Sequence, residues 1–252
     1  MPTRGYTDPG SRRASHYDPV LSTDFASNLW KDCPLLEYLF DPSIGVLLDE
    51  TFQSYDPEAT NGDWVLTQAT AGTGAISTVD PGTLVLDSNS TTDTQGVQVQ
   101  RVKSMFIPAA GKDIWMEWEQ KIADTPDYCQ FFGGLSEIDT SIIASSVNSS
   151  ANHIGFETVT ENGVVIVAGE KAGTRGTVAA AHTLVDDTWV KFGFKVNGVT
   201  SIQPYVNGVP LSSTLATANV PIVAMYPSFV CQTAGTNDPI LHVRALRMFQ
   251  LR

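Results

Sequence analysis

From Gly45 onward the chain is cut into short apolar-rich runs, each closed by Gly, Pro, Asn or Asp, and no stretch sustains a helical repeat. The runs are GVLLDETFQ, GDWVLTQ, ISTV, TLVLDS, GVQVQRVKSMFI and DIWMEWEQKI, then HIGFETV, GVVIVAG, TWVKFGFKVNG, SIQPYVNGVPL, MYPSFVCQT and ILHVRALRMFQLR. Val97 and Val99 alternate with Gln98 and Gln100, the period of two expected when one face of a strand is buried. In DIWMEWEQKI, Trp115 and Trp118 fall on opposite faces, leaving one for the core and the other for a place under a loop. The pairs Asn197-Gly198 and Asn207-Gly208 are hairpin signals, because both residues of that turn need positive φ. Short strands in such succession predict a β-sandwich or barrel.

At 252 residues the chain holds one large domain or two small ones, and β-sandwiches reach this size as a single domain. Charged residues are only 17%, and a net charge of −12 excludes a general nucleic-acid binder, which needs basic patches to displace counterions from phosphates. Cys33, Cys129 and Cys231 form no CxxC pair and read as buried free thiols. The first residues lack the apolar stretch of a signal peptide, and no run is long enough for a membrane span. The expectation is a soluble product made in a cytoplasm, with the sequons at Asn89 and Asn148 arising by chance.

Residues 1–44 differ from the rest. Residues 1–23 are rich in Pro, Gly, Ser, Arg and Asp, a composition that cannot bury enough surface to fold alone. A dense apolar run follows, in which Phe25, Leu29 and Trp30 fit one helical turn that Pro34 breaks or restarts. The predicted division is an extended N-terminal arm over 1–44 and a β-sandwich over 45–252. The arm either folds back on its own domain or docks on a neighbouring subunit. In the second case Tyr6, Arg12, Arg13, Tyr17, Trp30, Leu36, Tyr38 and Phe40 are the candidate partner contacts, since aromatics and Arg dominate interface hot spots.

The stretch from Asp187 to Gly198, with Trp189, Phe192, Phe194 and Val196, followed by Tyr205, Asn207-Gly208 and Pro210, resembles the hallmark hairpin of concanavalin A-like jelly rolls of the laminin-G, pentraxin and glucanase type. The resemblance implies an all-β sandwich of two antiparallel sheets whose first and last strands lie side by side. Within that superfamily DPSIGVLLDETF, FFGGLSEID and LRMFQLR look most like structural proteins of tailed bacteriophages. That likeness implies a non-enzymatic capsid decoration protein located in the virion. It would attach through its arm to a major capsid protein and form a homo-oligomer, a trimer by analogy. A carbohydrate-binding fibre domain recognising a glycan is the alternative, and a glucanase-type hydrolase a lesser one.

The resemblance raises one specific question of chemistry. In glucanases a Glu-x-Asp-x-Glu run on one strand supplies nucleophile, helper and acid. Here Glu137 and Asp139 are followed by Ser141, and a bulged variant would need Glu where Ile142 stands. Neither residue replaces the acid, so no catalytic residue is expected. Gly133-Gly134 just before suggests a bulge or turn. His153, His182 and His242 are scattered, and His242 reads as a surface or inter-strand residue. GEKAGTRG, with Lys171 and Arg175, lacks the ending of a phosphate loop and reads as an exposed hairpin tip. The Asp87–Asp93 loop offers oxygens to calcium or is a plain polar loop, and no metal or cofactor is expected.

Overall fold

A computed structural model describes residues 29–57, 62–69, 72–124, 126–140, 142, 151–158 and 162–252. Its strands are β1 (Gly45–Glu50), β2 (Val65–Ala69), β3 (Thr73–Ile76), β4 (Thr83–Asp87), β5 (Gly96–Gln100), β6 (Ile114–Ala123), β7 (Cys129–Ser136) and β8 (Asn152–Thr158). They continue as β9 (Val164–Lys171), β10 (Thr174–Thr183), β11 (Val190–Asn197), β12 (Ser201–Val206), β13 (Val209–Pro210), β14 (Leu215–Ala216), β15 (Tyr226–Thr233) and β16 (Ile240–Leu251). The sheets are antiparallel: a nine-stranded one ordered β13-β12-β11-β6-β16-β4-β3, with β1 beside β16 and β14 beside β12, and a seven-stranded one ordered β10-β9-β8-β7-β15-β5-β2. The first and last strands pair from Gly45 opposite Leu251 to Glu50 opposite Leu246, as the jelly-roll resemblance implies.

The core lies between the sheets. Trp118 stands at its centre, with Phe156, Phe192, Phe194 and Phe229 at ring-centroid distances of 5.8 to 6.4 Å, and its indole N–H donates to Gln120 Oε1 at 2.8 Å. Gly133, on the facing strand, is required by this ring: a Cβ there would stand 2.8 Å from Trp118 Cζ2. Gly133 and Gly134 therefore lie inside β7, and the expected bulge or turn is corrected to a strand that yields to a tryptophan.

Other local expectations shift for equally local reasons. Asn207 and Gly208, at φ 51° and 76°, make the two-residue turn between β12 and β13. Asn197 instead pairs with Ser201, so that connection is a three-residue loop of residues 198–200. The run ISTV is strand only at Ile76; β3 starts earlier, at Thr73. In β16 the alternation of Leu241, Val243 and Ala245 fails because Ala245, at φ 53°, bulges the strand and passes the inward position to Leu246 and Met248.

The apolar stretch before β1 packs on the outer face of the nine-stranded sheet. Residues 29–32 form a turn, and the helix comes after Pro34 as α1 (Leu35–Phe40), with Pro34 at its N-cap position. Proline suits a helix start because the missing N–H has no intrahelical partner there. Leu29 and Trp30 bury against Trp115 and Phe249, with Cys33, Leu35, Tyr38, Leu47 and Tyr205 around them. Trp115 is thus the tryptophan under cover.

Candidate functional site

Register fixes which side chains share the outer face of the seven-stranded sheet. Directly opposite residues of antiparallel strands lie on one face. Gln98, Val230, Phe132, Glu157 and Ile166 therefore form one row across β5, β15, β7, β8 and β9. A parallel row contains Gln100, Ser228, Gly134, Gly155 and Ala168, and the next contains Tyr226, Ser136, His153, Glu170 and Arg175. On the far side Gln232 faces Gln130. Gly134, Gly155 and Ala168 make a low floor between rows of larger side chains, with Glu157 on one side and Glu170 and Arg175 on the other.

One half of this face is closed. β7 ends at Ser136, and residues after it cross above β15 and β5. Asp139 N donates to Gln100 Oε1 at 3.1 Å, and Gln98 Nε2 donates to Asp139 O at 2.5 Å. Gln100 Nε2 reaches Ser136 Oγ at 2.9 Å, Ser228 Oγ at 3.0 Å and Glu137 O at 3.0 Å. Ile142 packs on Phe132 and Val230. This cover explains why all of β5 is buried rather than every second residue. It also corrects the strand geometry considered for Glu137 and Asp139: both lie past the strand end, with Asn152 Nδ2 donating to Glu137 Oε2 at 3.2 Å. Ser141 lies outside the described residues.

The other half carries charge. Arg175 runs back across the floor to ion-pair with Glu157 Oε1, and its Nη1 lies 3.6 Å from Glu170 Oε2. Side-chain exposure falls inward, from 25% at Arg175 to 2% at Glu157. The ion pair therefore runs from the surface at β10 to the interior at β8. Burial holds Glu170 above the usual carboxylate range and Arg175 below the usual guanidinium range. Glu157 Oε2, Gln130 Oε1 and Gln232 Nε2 are buried and have no hydrogen-bond partner among the described residues. Arg175 is thus no part of an exposed tip. The tip itself is Ala172-Gly173, at φ 49° and 81°.

The sequence did not single out Glu157, Glu170, Gln130 or Gln232. The available signal was a Glu inside the apolar run HIGFETV, a charge that a buried strand does not keep unpaired.

The residues that were singled out scatter. Tyr6, Arg12, Arg13 and Tyr17 lie outside the described residues. Trp30 is buried in the protein's own packing, with its indole hydrogen-bonded to Glu117, and Tyr38 meets Phe249 edge-on at 5.5 Å. Leu36 and Phe40 are exposed. His182 lies against Phe192 and His242 against Trp189, so neither joins His153. Asp87 Oδ1 accepts from Asn89 N at 2.7 Å, and no trio of His, Cys, Asp or Glu arranged for a metal ion occurs among the described residues. Cys129 and Cys231 are buried free thiols, while Cys33 is half-buried and pushed up to about 12 by desolvation.

The nine-stranded sheet also has a shallow depression, of about 280 Å³, on its outer face. Its charges pair internally: Arg247 with Asp49 at 2.8 Å, and Lys191 with Glu117 and Glu119 at 3.8 Å each.

No family model matches the chain, and no curated protein matches it in sequence. Solved structures do resemble it. A peanut lectin bound to a nonapeptide superposes with a TM-score of 0.55 at 13% identity, covering 82% of this chain and 98% of the lectin. A glycoside hydrolase family 16 endo-glucanase from Bacteroides ovatus gives 0.55 at 9%, covering 81% and 99%. A protein of unknown function from Shewanella oneidensis gives 0.54 at 14%, covering 99% and 96%. The chain has the concanavalin A-like jelly-roll fold.

Proposed function

We propose that the protein is a non-catalytic glycan-binding protein and that its binding face is the charged part of the outer face of the seven-stranded sheet. The observation that carries this reading is the trio Glu157 Oε2, Gln130 Oε1 and Gln232 Nε2, buried on one face without partners among the described residues. Each such atom costs about 1–3 kcal/mol when left unpaired. A polyhydroxylated ligand supplies both donors and acceptors to this set. The lectin and glucanase likenesses support the reading at the level of fold.

Hydrolysis fits less well. A retaining pair needs two carboxyls about 5–5.5 Å apart with substrate between them. Here the Arg175 guanidinium pairs with both Glu157 and Glu170. The capsid-decoration reading has no support among the likenesses and is set behind glycan binding.

The test is a glycan array with the full chain, followed by titration calorimetry on the strongest oligosaccharide. The double variant Gln130→Leu with Gln232→Leu should bind at least ten-fold more weakly, with unchanged stability or a gain of about 1 kcal/mol. An array without a single bound glycan, or a double variant that binds like the parent, overturns the proposal.

A further inference from the structure

The charged cluster on the outer face of the seven-stranded sheet does not balance. One guanidinium, that of Arg175, serves two carboxylates: it ion-pairs with Glu157 Oε1, and its Nη1 lies 3.6 Å from Glu170 Oε2. One negative charge of this trio is left over. It is left over in a poor place, because the Glu157 side chain is only 2% exposed and its Oε2 has no hydrogen-bond partner among the described residues. A buried carboxylate oxygen without a donor or a cation loses its hydration and gains nothing in return.

A second acceptor stands beside it. Gln130 is two residues before Phe132 on β7, and Phe132 faces Glu157 on β8, so Gln130 and Glu157 are diagonal neighbours on one face. Gln130 Oε1 is buried and likewise unmatched among the described residues. On its other side Gln130 faces Gln232 of β15, whose Nε2 is an unmatched donor. Two acceptors thus lie toward β8 and one donor toward β15. The cluster meets solvent through Arg175, whose side chain is 25% exposed.

This pattern discriminates between ligand groups. A hydroxyl donates a single hydrogen bond and carries no charge. An ammonium group donates three and supplies the missing positive charge, and its bonds to a carboxylate are roughly twice as strong as neutral ones. A carboxylate or sulfate would stand against Glu157 with Arg175 already shared. The net charge of −12 acts in the same sense at longer range.

We infer that the glycan this face takes carries an amino sugar with a free, protonated amine, its ammonium held between Glu157 Oε2 and Gln130 Oε1 and a neighbouring hydroxyl oxygen accepting from Gln232 Nε2. The inference rests on the glycan-binding reading and adds to it the charge class of the ligand. Acidic glycans are excluded by the same charge that selects the amine. An N-acetylated sugar binds more weakly, because its amide nitrogen is neutral and donates once.

The test is titration calorimetry on the full chain at about pH 6, where an amine is protonated and a carboxylate ionised by their ordinary values. Three oligosaccharides of equal length are compared: β-1,4-linked glucosamine, its N-acetylated counterpart and a galacturonate chain. The glucosamine chain should bind at least about ten-fold more tightly than the acetylated one, and the uronate should not bind. Gln130→Lys sets an ammonium of the protein's own beside Glu157 and should erase that preference. Equal binding of the free and acetylated chains, tightest binding of the uronate, binding of none of the three, or a preference that survives Gln130→Lys overturns the inference and leaves glycan binding itself standing. An array without a single bound glycan overturns both.

Discussion

The two outer faces of this sandwich are both covered, yet by opposite chemistry. On the nine-stranded sheet Trp115, Phe249 and Tyr205 meet an apolar strap, and Trp30 adds a hydrogen bond to Glu117. On the seven-stranded sheet the cover is a polar crossing segment that bonds Gln98 and Gln100, and beside it Glu157, Gln130 and Gln232 retain unmatched atoms. Apolar burial is non-directional and is complete once the surface is removed from water. Polar burial is complete only when each donor and acceptor is met: under the strap the Trp115 indole N–H is unmatched among the described residues, whereas the seven-stranded face leaves two acceptors and a donor unmatched close together.

That contrast can be broken most severely at Trp115. Replacing Trp115 with Ala should cost about 3–5 kcal/mol, because the ring is buried and the strap above it loses its floor. Chemical denaturation monitored by Trp fluorescence measures it, and glycan binding by the surviving folded fraction should be unaffected. A loss below about 1 kcal/mol would mean that the strap is not packed as described. Arg175→Ala strikes the other face. It leaves the buried Glu157 carboxylate without its cation and should cost about 3 kcal/mol, the low end for such a loss because Arg175 is partly exposed. Arg175→Lys should avoid only part of that loss, since ammonium lacks the guanidinium fork.

The smallest effect depends on pH. Burial raises the Glu170 carboxyl, so ionising it costs more in the folded than in the unfolded chain. Its contribution is fully present below the ordinary carboxylate range and is lost as pH rises through the folded value. Glu170→Gln should therefore raise Tm slightly at neutral pH, with the difference vanishing below about pH 4. A Tm lowered by Glu170→Gln at neutral pH, the loss vanishing toward acid, would show that the ion pair with Arg175 outweighs burial.

The features legible in the sequence were those set by neighbours along the chain. Asn207-Gly208 made its turn, and the odd spacing of Trp115 and Trp118 placed them on opposite faces. What depended on distant partners was not legible. Gln98 and Gln100 read as solvent-facing because the segment that covers them lies about forty residues away in the chain. β10 was missed because Thr174–Thr183 is mostly small or polar and its register slips between Val178 and His182. The polar cluster was invisible for the same reason: Glu157, Glu170, Gln130 and Gln232 belong to four strands, and only their pairing puts them on one surface.

The pairing of β1 with β16 has a mechanical consequence. Gly45 lies opposite Leu251, so the segment before Gly45 and the end of the last strand leave the sheet at the same edge. A pulling force applied between those two points does not shear the six paired positions together; it peels them open one after another, starting at Gly45. Such a geometry yields at low load. A load borne by the segment before Gly45 would begin to unzip the first strand before it disturbed the core.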